Sequence, residues 1–143
     1  MKRNLFILLI AAMALVAWGC EKEEFASPAV YGKITFSPAK PYVGDTVIMT
    51  VQVLDAGNRI YHADYTWKCG SVFSGQVVKV TAPDGSKTIT APPTFKYVFR
   101  ESGSFDVSMN AKFKYSMSDV NGALYGVASS KVSRLEIRDK PNN

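Results

Sequence analysis

Histidine and cysteine are almost missing from this chain of 143 residues, which holds one of the first, His62, and two of the second, Cys20 and Cys69. A single imidazole cannot build a zinc centre, which needs three or four converging ligands. A serine–histidine–acid triad would have to run through His62, and no serine stands in the strand–turn–helix setting that exposes a nucleophile. There is no glycine-rich phosphate loop. No run of Lys or Arg is present, so nucleic acid is not an expected partner. No stretch long enough for a helix spaces its apolar residues by three and four. Neither a catalytic group nor a metal or cofactor is therefore expected. Asp55, Asp84, Glu101 and Asp119 fall in or beside turns, where capping and solvation account for them. His62 and Asp64 lie in Tyr61-His62-Ala63-Asp64, read as a polar turn, and are expected to pair at the surface. A small glycan-active enzyme with two facing carboxylates is the distant alternative, because their separation is a three-dimensional quantity.

What the chain does have begins at its amino terminus. Lys2 and Arg3 precede an uncharged apolar run from Leu5 to Trp18, about fourteen residues long, the length of a secretory signal core and short of the roughly 20 that span a bilayer. Ala17-Trp18-Gly19-Cys20 resembles the lipobox of bacterial lipoproteins. That resemblance implies cleavage before Cys20 and acylation of its thiol, with a plain secretory signal as the alternative. Two or more acyl chains anchor stably where one does not. Glu21-Lys22-Glu23-Glu24 and the aperiodic Phe25-Ala26-Ser27-Pro28-Ala29 read as a tether. Lys22-Glu23-Glu24 is similar to the export tag that sends some lipoproteins to the outer face of the outer membrane; a solvated linker is the other reading. The expected organisation is a signal peptide over 1–19, an acidic tether over 20–30, a folded body over 31–139 and a short tail over 140–143. Without Lys2 and Arg3 the formal charge of +5 drops by two. Lipidation of Cys20 leaves Cys69 alone, as a buried thiol beside Trp67 and Tyr65; the alternative is a Cys20–Cys69 disulfide with the signal retained or cut elsewhere.

The body has period two. Val47, Met49, Val51 and Val53 alternate with Thr46, Ile48, Thr50 and Gln52. From Ser104 to Met117 the residues Phe105, Val107, Met109, Ala111, Phe113, Tyr115 and Met117 share one face, and polar residues share the other, the pattern of a half-buried antiparallel strand. Pro83-Asp84-Gly85-Ser86 is expected to join Gln76–Ala82 to Lys87–Ala91. Asn121-Gly122 is expected to fold Ser104–Met117 against Leu124–Arg138. In that last strand the apolar phase slips between Val132 and Leu135, which predicts a bulge near Ser133 or Arg134. Seven or eight strands with regular turns predict an all-β, antiparallel sandwich of immunoglobulin-like shape.

Three stretches carry a family resemblance. Val43-Gly44-Asp45-Thr46-Val47, Tyr65-Thr66-Trp67-Lys68-Cys69-Gly70 and Phe99-Arg100-Glu101-Ser102-Gly103-Ser104-Phe105-Asp106-Val107 resemble, in order and spacing, motifs of the polycystic-kidney-disease (PKD) domain, an immunoglobulin-like sandwich common on bacterial surfaces. The resemblance implies a core around Trp67, Cys69, Phe99, Phe105 and Val107. Lys68 and Cys69 stand where the family usually has an acid and an aromatic, so the acids that would favour calcium are missing. The segment from Ser71 to Pro93 is longer than the usual spacing.

At about 3.4 Å per residue, the strand from Ser104 would outrun a typical sandwich. Lys112, Lys114, Tyr115 and Tyr125 are therefore candidate ligand-binding residues on a protruding ribbon, able to stack on sugar rings or grip a protein. The alternative is that the strand bends and its aromatics pack under the Ser71–Pro93 segment. The expected function is a lipid-anchored, non-enzymatic binding module of the bacterial envelope. Glycan binding as an accessory to surface uptake calls for exposed coplanar aromatics. Structural or adhesive contact with an envelope protein calls for an unprotected strand edge or an apolar patch.

Overall fold

A computed structural model describes residues 25–83, 89–116 and 124–142. Among these residues eight strands form two antiparallel sheets: β1 (Val30–Ser37), β2 (Thr46–Asp55), β3 (Ile60–Cys69), β4 (Phe73–Thr81), β5 (Phe95–Val98), β6 (Gly103–Tyr115), β7 (Tyr125–Ser129) and β8 (Ser133–Ile137). The smaller sheet runs β1-β2-β5. The larger runs β4-β3-β6-β7, with β8 continuing beside β6 in line with β7. This is the all-β sandwich that the alternation predicts. Among the described residues no helix is long and apolar enough to cross a membrane.

The alternating apolar residues of both sheets meet between them. Val47 and Met49 from β2 face Trp67 from β3 and Val107 and Met109 from β6, and all five are fully buried. Trp67 stacks on Phe95 of the opposite sheet, ring centres 5.4 Å apart. A run of tilted aromatic pairs continues through Phe73, Tyr97, Phe99 and Phe105, each pair within 5.0 Å. Tyr31 of β1 and Tyr65 of β3 hydrogen-bond side chain to side chain across the same interior. Burial holds both phenols above their ordinary range.

Two bulges lock the sheets together. β6 pairs Asn110 with Ser129 but Val107 with Ser133, so β7 and β8 carry one extra residue between them. The phase slip in the sequence marks this bulge, which sits just before Ser133. β1 likewise pairs Tyr31 with Val53 but Ile34 with Val51, leaving an extra residue at Gly32–Lys33. The bulges face each other. Lys131 N–H donates to the Gly32 carbonyl at 2.9 Å, and Ile34 N–H donates to Ser133 Oγ at 2.9 Å. Met109 N–H donates to Ser130 Oγ at 2.9 Å. Ser130 and Ser133 are the buried polar residues of the described core, and each satisfies a backbone donor that the bulge would otherwise orphan.

Four expectations need correction. Tyr61–Asp64 is not a turn but the start of β3; His62 and Asp64 are polar because they lie on the outer face of a strand. Phe25 to Ala29 is not a free tether. Ala26 and Ala29 are buried, and Ser27 pairs with Asn58, so the folded body starts before residue 31. This docking requires glycine at Gly57: its φ is +72°, and a Cβ there would come within 2.6 Å of the Ser27 carbonyl oxygen. Ile89–Ala91 forms no strand, although Ile89 N–H bonds the Ile60 carbonyl at 2.9 Å. Finally, the last long strand is two, β7 and β8. The turns proposed at Asp84-Gly85 and Asn121-Gly122 lie outside the described residues, as does Cys20.

A candidate contact face on the larger sheet

β3, β6 and β7 run antiparallel, so residues in register form rows across the outer face. One row is Thr81, His62, Lys114 and Tyr125; the next is Lys79, Asp64, Lys112 and Val127. Lys112, Lys114 and Tyr125 are thus brought together as expected neighbours, each exposed. Tyr115 is not among them. It is 4% exposed and lies on the inner face with Phe113 and Ala111, so its ring cannot be offered to a ligand. As far as Tyr115 the strand does not protrude, for the reason the turn at Tyr61–Asp64 fails, and Met117 with the tip of the expected ribbon lies outside the described residues. β3 begins at Ile60 and accompanies β6 as far as Tyr115, keeping that end of β6 inside the sandwich.

The remaining predicted residues fall in the core. Trp67, Cys69, Phe99 and Val107 are buried, and Phe105 is half-buried at the edge of the aromatic run. Burial, with a smaller contribution from the Asp106 carboxylate, pushes the Cys69 thiol up to about 11. It is a neutral, unreactive packing group at physiological pH.

The chemistry of the face is simple. His62 Nε2 lies 3.1 Å from Asp64 Oδ1, and its Nδ1 lies 2.9 Å from Thr81 Oγ1. Both ring nitrogens are therefore engaged, in the surface pairing expected of them. Among the described residues Lys112 and Lys114 form no ion pair within 4.0 Å, and no cluster of His, Cys, Asp or Glu could hold a metal. Beside the lysines, a shallow depression of about 350 Å³ is lined by Lys112, Phe113, Tyr125, Gly126 and Val127. A larger one of about 400 Å³ lies at the other end of the molecule between Phe36 and Arg134. Its two arginines are already engaged: Arg134 Nε donates to Asp106 at 3.1 Å, and Arg138 donates to the Lys40 carbonyl and covers the Tyr42 ring.

What sequence reasoning missed is the edge. β7 pairs with β6 alone, and its other side is unpaired among the described residues. From Leu124 to Ser130 it carries neither charge nor proline, and Tyr125 and Val127 are 67% and 72% exposed. The other edges are guarded by the usual devices. β4 has a bulge at Gly75, whose φ of +74° suits glycine, and Lys79. β5 is four residues long, follows Pro92-Pro93 and carries Lys96. β8 alternates Arg134 and Glu136, and the free side of β1 is held by Lys131 and Ser133. The signal was available in the bare Leu-Tyr-Gly-Val-Ala-Ser run, but only the strand order shows that it is an edge.

The family model described as the PKD domain matches residues 34–121. No curated protein and no solved structure matches the chain.

Proposed function

Because the chain belongs to the PKD domain family, we propose that it is a non-catalytic interaction module of the bacterial envelope, held to the outer membrane by acyl chains on Cys20 and meeting a protein partner along β7. The observation that carries this reading is the unguarded edge. An extended segment laid beside β7 would gain its unpaired backbone groups, cover Val127, and come within reach of the unpaired Lys112 in the same row. A glycan platform is supported less well, since Tyr115, one of the two rings expected to stack on a sugar, is buried in the core.

The test is photo-crosslinking in intact cells, with benzoylphenylalanine at Val127 and, as control, at Lys68 on the far part of the same outer face. A discrete protein adduct from position 127 alone supports the reading. Adducts absent at 127, or equal at both positions, reject it. Retention on immobilised polysaccharide that is abolished by Tyr125→Ala would favour the glycan instead.

A further inference from the structure

The exposed apolar residues are not spread evenly. Among the described residues, six of the ten large ones, Phe25, Val30, Leu54, Tyr61, Leu124 and Tyr125, lie at one end of the sandwich. Pairing fixes this clustering. Val30 opens β1 opposite Asp55, next to Leu54. Asn58 Nδ2 donates to the Phe25 carbonyl. Tyr61 follows Ile60, which is opposite Tyr115, and the Tyr115 N–H donates to the Leu124 carbonyl. Of the other four, only Val98 lies at the opposite end, where Lys40, Arg100, Glu101, Asp106, Arg134 and Glu136 carry charges of both signs, against Asp55, Arg59 and Lys114 at the apolar end.

The apolar end is also the end at which the chain enters. Five residue steps separate Cys20 from Phe25, and a fully extended chain covers at most about 18 Å in that distance. β3 alone, ten residues long, spans about 34 Å. An anchor on Cys20 therefore cannot let the molecule turn over; it keeps the apolar end next to the lipid.

We infer that this end is a membrane-seating surface: Phe25, Leu54 and Leu124 enter the boundary between headgroups and acyl chains, while Tyr61 and Tyr125 lie at headgroup level. Amphipathic rings favour that level, and scattered Leu and Phe favour the depth beneath it. Lys114, beside Tyr125 in the same row, faces the phosphates. The inference rests on the lipid anchor proposed above and adds an orientation: β7 rises from the membrane, with Val127 and Ser129 above the headgroups and open to a partner.

The experiment places a nitroxide on Leu54→Cys, Leu124→Cys or Glu101→Cys in the full chain, purified from membranes into phosphatidylethanolamine–phosphatidylglycerol vesicles. Buried Cys69 provides the unlabelled background. Oxygen and a nickel chelate are used as paired relaxants, and acylation is scored separately by palmitate incorporation. The expected result is an oxygen-to-nickel ratio several-fold higher at 54 and 124 than at 101. Equal ratios at the three positions in acylated protein overturn the seating and leave the anchor standing. Labels shielded from both relaxants reveal a protein cover and also overturn it. Without palmitate, immersed labels uphold the surface and reject the anchor, and aqueous labels reject both.

Discussion

The phenol of Tyr115 lies directly beneath Gly126, so closely that a Cβ on that glycine would stand 2.8 Å from the ring carbon Cζ. Gly126 faces Phe113 across the β6–β7 ladder, and its missing side chain is the space the Tyr115 ring occupies. Gly126→Ala should therefore cost about 1–3 kcal/mol, the range for over-packing a filled core. Urea unfolding checks this. In a double-mutant cycle with Tyr115→Phe, which removes the nearest atom, the combined cost should be smaller than the sum of the single costs.

The two tyrosines that look alike in sequence should behave oppositely. Tyr115→Ala empties a buried aromatic site and should lower stability by about 3–5 kcal/mol. Tyr125→Ala, on the exposed face, should change it by no more than about 0.5 kcal/mol. Thermal melts of the two variants side by side decide the matter.

How much of this could be read from the residues follows from that pair. Period two was sufficient to find β2 and β6, and it placed Tyr115 in phase with Phe113 and Val107 on the core side. Reading Tyr115 as exposed required β6 to outrun its neighbours, which depends on where β3 begins. The polar residues His62 and Asp64 concealed that start, because a strand's outer face and a turn have the same composition. The bulge before β8 was legible as a phase slip. Its partner at Gly32–Lys33 was not, since Ser130 and Ser133 show their role only when Met109 and Ile34 approach from distant parts of the chain. The edge exposure of Tyr125 and Val127 is likewise a property of strand order, which local pattern does not encode.

Ser133→Ala should remove the acceptor of the Ile34 N–H at a buried site and cost about 1–3 kcal/mol. Ser129→Ala, at an exposed position whose hydroxyl donates to half-buried Asn110 at 2.8 Å, should cost no more than about 0.5 kcal/mol. Hydrogen exchange at the Ile34 amide should accelerate in the first variant alone.

Alkaline conditions should weaken the fold through Cys69. Its thiol stays protonated to about 11 when folded, against an ordinary value of 9.0, so between these values the unfolded chain gives up a proton that the folded chain keeps. Stability is then complete below pH 9 and falls as pH rises, by up to about 1.4 kcal/mol per pH unit for one proton. Tyr31 and Tyr65, also raised, extend the fall to higher pH. Denaturation midpoints from pH 8 to 10.5 should show this decline, and Cys69→Ala should flatten its first part.

The way the chain enters the fold has a mechanical consequence. Tension arriving through Phe25 runs into β1 along that strand's own axis, while the ladder from Tyr31–Val53 to Ser37–Ile48 lies across it. Such a load stretches all of these rungs together, with the Ile34–Ser133 and Lys131–Gly32 bonds sharing it on the other flank. A hauled molecule would therefore yield in shear, at high force, and not peel open rung by rung.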